Sequence, residues 1–291
     1  NDPNAEADDI DHLASRRVRF VGEMLGVKIK KGMLQIKRYI QEKMSVIETD
    51  TTLPINVINQ RSLQVRIKEF FTMNQLSQLM NQENILAEIE NLRTLSALGP
   101  GGPTKERAGF EIRDVHTSHY GRVCPIQTPD GANVGLILRL SIYAKVNEFG
   151  IIETPYVKVK NGKITKEIVY LNAIQEENTV IAHAAINYDE TGIIKDKIIQ
   201  ARIKGHPGLI SADKVEYIDV APNQAYSIAT NMIPFLEHDD AARASMGANM
   251  QRQSVPLLLR EAPYVATGLE EFAGKDIGRV VIAENAGTIK Y

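Results

Sequence analysis

The residues best suited to chemistry lie between Leu95 and Gly135, in the run LSALGPGGPTKERAGFEIRDVHTSHYGRVCPIQTPDGANVG. Gly99, Pro100, Gly101, Gly102 and Pro103 make one loop, and Pro125, Pro129, Gly131 and Gly135 punctuate a second. Lys105, Arg107, Arg113 and Arg122 stand between or beside them, with His116 and His119 interleaved. Glycine accepts positive φ, proline cannot donate to a sheet, and long irregular loops stay at surfaces, where they carry function. Two phosphate chemistries suit such loops. A mononucleotide cradle needs G-x-x-x-x-G-K-[ST]. Here the Gly-Lys pairs are Gly162-Lys163 and Gly274-Lys275, and Val157 and Leu269 occupy the place of the upstream glycine, so that cradle is set aside. A polyanion groove needs only cations that track a phosphate backbone. A solvated loop with ordinary charges needs no more than the same residues, so residue types alone leave both readings open.

A second candidate lies in Ile233–Pro256, IPFLEHDDAARASMGANMQRQSVP, which predicts a helix capped by Asp239 or Asp240. At 100° per residue, Arg243, Met246, Asn249, Met250 and Gln253 share about a third of its circumference. Arg, amides and flexible thioethers suit a groove for a polar ligand; a half-buried helix in an ion-pair network with Glu237 and Asp240 would show the same residues. Metal chemistry finds little support. The Asp8-Asp9-Asp11 run belongs to a loose acidic lead-in, HExxH and CxxC spacings are missing, and His183 and His206 are isolated.

The elements that must position these residues follow from periodicity. Apolar residues at Val21, Leu25, Ile29, Met33, Ile36, Ile40 and Met44 predict helix from Ala14 to Met44, with a break near Gly26 and Asp11 as a cap. Arg16, Arg17 and Arg19 at its start fit a solvated helix end or a phosphate contact equally. Asp50-Thr51-Thr52-Leu53-Pro54 interrupts the pattern, and Arg61 to Phe71 resumes it. Gln75 to Leu92 reads as two short helices striped by Leu76, Leu79, Met80 and by Ile85, Leu86, Ile89, Leu92, stripes of the kind that build cores. From Leu136 the period becomes two: LRLSIYAKV, then a hairpin around Asn161-Gly162 of type I′, then strands at 179–182, 197–204 and 215–220. Residues after Pro263 are predicted to return to strands and turns.

Composition bounds the rest. The chain has 291 residues, 43% hydrophobic and 24% charged, a soluble globular balance long enough for two or three compact units. A net charge of −2 announces no polyanion globally, so binding must rest on local patches. A single cysteine, Cys124, excludes an internal disulfide framework and fits a reducing, cytoplasmic setting. No run has transmembrane length and no signal peptide precedes the chain. A first residue other than Met, and an end at Lys290-Tyr291 without a stop signal, predict a fragment.

The runs QLSQLMNQENILAEIENLRTLSALGPGG, TKERAGFEIRDVHTSHYGRVCPIQTPDGANVGLI and IPFLEHDDAARASMGANMQRQSVP closely resemble the beta subunit of bacterial DNA-directed RNA polymerase, and the resemblance extends from about Asp8 to the C-terminus. It implies an α+β, multi-domain piece of a larger subunit: residues 1–74 as the end of the protrusion, 75–150 as the fork region, 151–232 as a mostly antiparallel β external domain, and 233–291 as the return to the fork and core. Arg243 and Asn249 then match nucleotide-binding positions, and Gln78, Met246 and Gln253 positions along the RNA–DNA hybrid. Lys105, Arg107, Arg113, Pro129, Asp130 and Gly131 match the fork loop at the downstream bubble edge. The rifamycin pocket of the family would take in Gln78, Leu79, Asn81, Asn91, Thr94, Ser96, Leu98, Lys105, Pro129 and Ile137. Leu79, Asn81, Asn91 and Thr94 depart there from the family's Phe, Asp, His and Arg. No catalytic or metal residue is expected in this chain. The resemblance places Mg²⁺ in the partner subunit, beta prime, and implies beta prime, alpha and sigma subunits, template DNA, RNA and nucleoside triphosphates as partners. The competing reading is a non-catalytic scaffold or single-strand-binding module. It expects aromatic stacking platforms, whereas the chain has no Trp and is 6% aromatic.

Overall fold

The computed structural model describes residues 9–47, 53–288 and 290. Most of the acidic lead-in, and part of the interruption at 50–54, lie outside them. The chain divides into two compact units, Val18–Leu79 and the remainder.

The smaller unit is helical: α1 (Val21–Met44), α2 (Pro54–Val57) and α3 (Arg61–Met73). α1 runs through Gly26 without a break, because one helical glycine costs only about 1 kcal/mol. It begins at Val21 behind Phe20, so Asp11 caps no helix; its carboxylate lies 3.8 Å from Arg16 instead. Gly32 lets α3 approach closely, since a Cβ there would stand 3.0 Å from Leu63 Cδ1. Ile36 and Phe70 are buried in this unit. Lys28 and Arg66 both reach Glu69, at 3.2 and 3.0 Å. No helix forms over 74–84. Asn74 accepts from Leu76 N–H, and Asn84 accepts from Ala87 N–H to cap the next helix, so side-chain amides take over the backbone bonding at both ends. Leu79, read from its stripe as core, is 95% exposed.

The larger unit begins with α4 (Ile85–Leu92) and β1 (Thr94–Ser96), then holds the long loops and pairs β1 with antiparallel β2 (Ile137–Arg139), Ser96 opposite Ile137. The alternating run after β2 does not continue as strand. Ser141 N–H bonds the Arg122 carbonyl and Ile142 N–H the Tyr226 carbonyl, which pulls the chain off the ladder until β3 (Lys145–Val146). The main sheet follows: β4 (Ile152–Lys160), β5 (Lys163–Leu171), α5 (Ala173–Glu177), β6 (Val180–Ala182), β7 (Ile198–Ile203), β8 (His206–Ser211) and β9 (Tyr217–Asp219). Its order is β3-β4-β9-β6-β7-β8, with β5 also on β4; only β6–β9 is parallel. Asn161 and Gly162 both have positive φ (52° and 72°), as the I′ hairpin requires. Val159, Ala182, Ile194, Ile199, Val215 and Ile218 form its apolar core.

The chain then returns through α6 (Ile228–Asn231), α7 (Ala241–Gln251) and α8 (Leu269–Asp276). α8 replaces the strands expected after Pro263. Glu270 accepts from the Thr267 and Gly268 N–H groups, and Lys275 pairs with Glu271 one turn back, so local bonds favour helix. Val280, Val281 and Ile282 are exposed and, among the described residues, join no sheet.

Candidate nucleic-acid interface

The two loops of the larger unit are fixed by backbone capture. Gly99 and Gly101 have positive φ, and Gly102 N–H bonds the Gly99 carbonyl. Lys105 and Arg107 are exposed on this first loop. Arg113 is not free for a ligand. Its Nη1 donates to the Ala132 and Val134 carbonyls at 2.9 and 2.7 Å, its Nη2 to Lys105 at 3.3 Å and its Nε to Ala108 at 3.4 Å. It therefore laces the first loop to the second. Gly135 (φ 73°) completes the seam, because a Cβ there would lie 2.5 Å from the Arg113 carbonyl oxygen. Asp130 and Gly131 are exposed on the second loop and Pro129 is half-buried.

α7 docks beside that loop. Asp240, not Asp239, is its cap, accepting from Ala242 N–H at 3.2 Å. Its inward face is small, with Ala244, Ser245 and Ala248 buried. Ser245 and Asn249 both donate to the Thr128 carbonyl, at 3.0 and 2.8 Å. Arg243 and Met250 point outward, Met246 is half-buried, and Gln253 lies beyond the helix end in an exposed turn. Glu237 lies 3.9 Å from His238, and no bond or ion pair of Arg243 is found among the described residues. Asn84, which the sequence reading did not single out, ties the end of α7 down by donating to the Gln251, Arg252 and Ser254 carbonyls at 3.1, 3.0 and 2.9 Å.

Beneath the loops lie buried charges that sequence reading missed. Glu90 is 3.3 Å from Arg139 Nε, off the line of a hydrogen bond, and accepts from Ala229 N–H at 3.1 Å. Burial raises the Glu90 pKa; burial and the Arg252 charge bring Arg139 down to about 10. Arg93 donates to the Ser141 carbonyl at 2.5 Å, and burial lowers its pKa. Arg122, read as a loop cation, is fully buried. It pairs with Glu176 at 2.6 Å and donates to the Leu171 and Ser118 carbonyls. Glu176 also accepts from Tyr156 Oη at 2.9 Å. Arg202 grips both Asp219 oxygens, at 3.0 and 3.2 Å, and stacks 3.8 Å from the centre of the Tyr120 ring. Tyr120 donates to Asp219 at 2.8 Å. Burial opposes the charge on Arg202, but Tyr156, Asp219 and Glu176 together push its pKa upward.

The histidines of the first loop meet the N-terminal strap. His12 lies 2.9 Å from Glu177, His116 lies 2.8 Å from Asp9, and the Ser118 hydroxyl accepts from Leu13 N–H. Burial, with the neighbouring His116, lowers the His119 pKa to about 4. Among the described residues, no three His, Cys, Asp or Glu side chains converge to hold a metal.

The remaining expected pocket residues divide between the units. Gln78 and Leu79 are exposed at the end of the helical unit. In the larger unit Asn81 is exposed and Asn91 half-buried, Thr94 donates its hydroxyl to the Glu90 carbonyl at 2.8 Å, and Leu98 N–H donates to Ser96 Oγ at 3.2 Å.

Residues 78–146, which hold both loops, match the family model of RNA polymerase Rpb2, domain 3, and residues 156–221, which hold most of the sheet, match the RNA polymerase beta subunit external 1 domain. The chain carries domains of the RNA polymerase beta-subunit family. It is 52% identical, over 284 residues, to the DNA-directed RNA polymerase subunit beta of Sorangium cellulosum (strain So ce56), across 97% of this chain and 21% of that protein. The chain thus spans about a fifth of the length of the curated relative it matches. In beta-subunit terms, the Arg113 seam, Thr128 and β1–β2 belong to domain 3. Arg202 and Glu176 belong to the external 1 domain, so the buried ionic cluster spans both.

Proposed function

We propose that this chain is an internal section of the beta subunit of bacterial DNA-directed RNA polymerase, a nucleotidyltransferase, and that it positions the RNA–DNA hybrid, the downstream bubble edge and the incoming nucleotide for template-directed synthesis. The observation that carries the reading is α7: an outward Arg243 with no bond or ion pair among the described residues, on a helix whose inner face is pinned to a loop of the matched domain 3. An exposed guanidinium carried on a held helix, with no carboxylate among the described residues to compete for it, is available to neutralise phosphate. Lys105 and Arg107 offer further cations from the adjoining loop, and a polymerase that accepts any sequence needs backbone contacts more than base-edge contacts. The catalytic Mg²⁺ supplies Lewis-acid stabilisation of the transferring phosphate and is assigned to the beta prime subunit; alpha, sigma, template DNA, RNA and nucleoside triphosphates complete the assembly. Within this chain the work is orientation and charge neutralisation.

The test is Arg243→Ala in polymerase reconstituted with its other subunits. Losing one charge-assisted contact of about 1.5–3 kcal/mol raises the nucleotide KM by about tenfold or more. Unchanged nucleotide kinetics in a normally assembled enzyme would refute the placement.

A further inference from the structure

Thr128 is the point where three tethers meet. Its carbonyl accepts from Ser245 and Asn249 on the inner side of α7, at 3.0 and 2.8 Å. Its hydroxyl accepts from Gly135 N–H at 2.8 Å and donates to the Ile137 carbonyl at 3.1 Å. From the opposite side Arg113 holds the same loop by Ala132 and Val134. The Asn249 amide is occupied at both ends, because its Oδ1 also accepts from Arg252 at 2.9 Å. A side chain so engaged acts on its neighbours before it acts on a ligand.

We infer that Asn249, Thr128 and Arg113 are positioning residues, which clamp the 128–135 loop between α7 and the Gly-Pro loop so that Arg243 and the second loop keep one fixed relation during nucleotide addition. Asn249 then serves synthesis through Thr128 and not by direct nucleotide contact. The consequence for synthesis rests on the function proposed above; the clamp itself rests on the hydrogen bonds. Arg113 is suited to the task because its planar fork reaches carbonyls on both loops at once, which lysine cannot imitate.

The experiment uses the assembled polymerase carrying Thr128→Val, Thr128→Ser, Asn249→Ala, Arg113→Gln, or the last two together. Amide exchange across residues 131–137 and single-nucleotide addition are both measured. Thr128→Val, Asn249→Ala and Arg113→Gln are expected to speed exchange and lower kcat about fivefold or more, with nucleotide KM held within about twofold. Thr128→Ser keeps the hydroxyl and holds kcat within about twofold of the parent. The Asn249/Arg113 double variant falls little below the weaker single variant, because the two act on one loop. Unaltered exchange, multiplicative losses, or a rise in KM alone for Asn249→Ala overturns the inference. Faster exchange with unchanged kcat and KM keeps the clamp, overturns its part in synthesis, and counts against the placement of this loop at the bubble edge.

Discussion

At the scale of single residues, environment decides more than type. Arg243 and Arg122 look alike in the sequence, yet one is exposed and the other is sealed against Glu176. His119 gives the sharpest consequence. Its pKa falls from the ordinary 6.5 to about 4, so the fold prefers the neutral ring. The unfolded chain takes up the proton first as pH drops. Stability from this group is therefore complete above about pH 6.5 and is lost as pH falls towards 4, by up to about 3 kcal/mol. Thermal unfolding of the chain between pH 7 and pH 4 should fall more steeply for the parent than for His119→Gln. Equal slopes would show that His119 is not the group that titrates.

At the scale of elements, glycine geometry sets the loops. Gly131 and Gly135 both have positive φ (82° and 73°), but open space surrounds the first and Arg113 backbone crowds the second. Gly131→Ala meets only the left-handed strain, about 1 kcal/mol. Gly135→Ala adds a collision with main-chain atoms at 2.5–2.6 Å and should destabilise by about 3 kcal/mol or more, in the range reached when strain cannot relax. Denaturant unfolding of the two variants checks the contrast; similar losses would mean that the seam at Arg113 yields. The elements read well from sequence were those with local causes: the Asn161-Gly162 hairpin, α3, and the Asp240 cap of α7. Those misread were decided by partners far along the chain. The alternation after β2 was overruled by bonds to Arg122 and Tyr226, and the helical stripe at 76–80 by amide bonding at Asn74 and Asn84. The cations of the first loop were legible as a candidate polyanion site. Their division into exposed Lys105 and Arg107, committed Arg113 and buried Arg122 was not, because it depends on carbonyls and carboxylates brought together only by the fold.

At the scale of the whole molecule, the rifamycin pocket that the family resemblance implies carries a prediction for the domain 3 segment. Thr94, Asn91 and Asn81 stand where the family resemblance expects Arg, His and Asp, and the Thr94 hydroxyl is already engaged by the Glu90 carbonyl. Loss of one charged donor of about 1.5–3 kcal/mol corresponds to tenfold or more in affinity. Polymerase containing this section is expected to tolerate the drug, and Thr94→Arg with Asn91→His and Asn81→Asp to restore part of the sensitivity. Abortive-transcript synthesis across a drug titration measures this, and full inhibition of the parent at concentrations that stop a sensitive enzyme would contradict it.

The buried ionic cluster has a consequence for how such chains can be recombined. Arg122 and Tyr120 come from one matched domain and Glu176, Arg202 and Asp219 from the other, so neither domain is electrically complete alone. A foreign sheet that covers Arg122 without supplying its acid leaves a buried charge uncompensated, a penalty of about 3–5 kcal/mol for a broken buried pair. A chimera with a foreign sheet has to import the matching acid for Arg122 or replace Arg122 with an apolar side chain of similar volume. The expected trace in evolution is coupled change: replacement of Arg122 should accompany replacement of Glu176, which a comparison of these two positions across beta-subunit sequences would check.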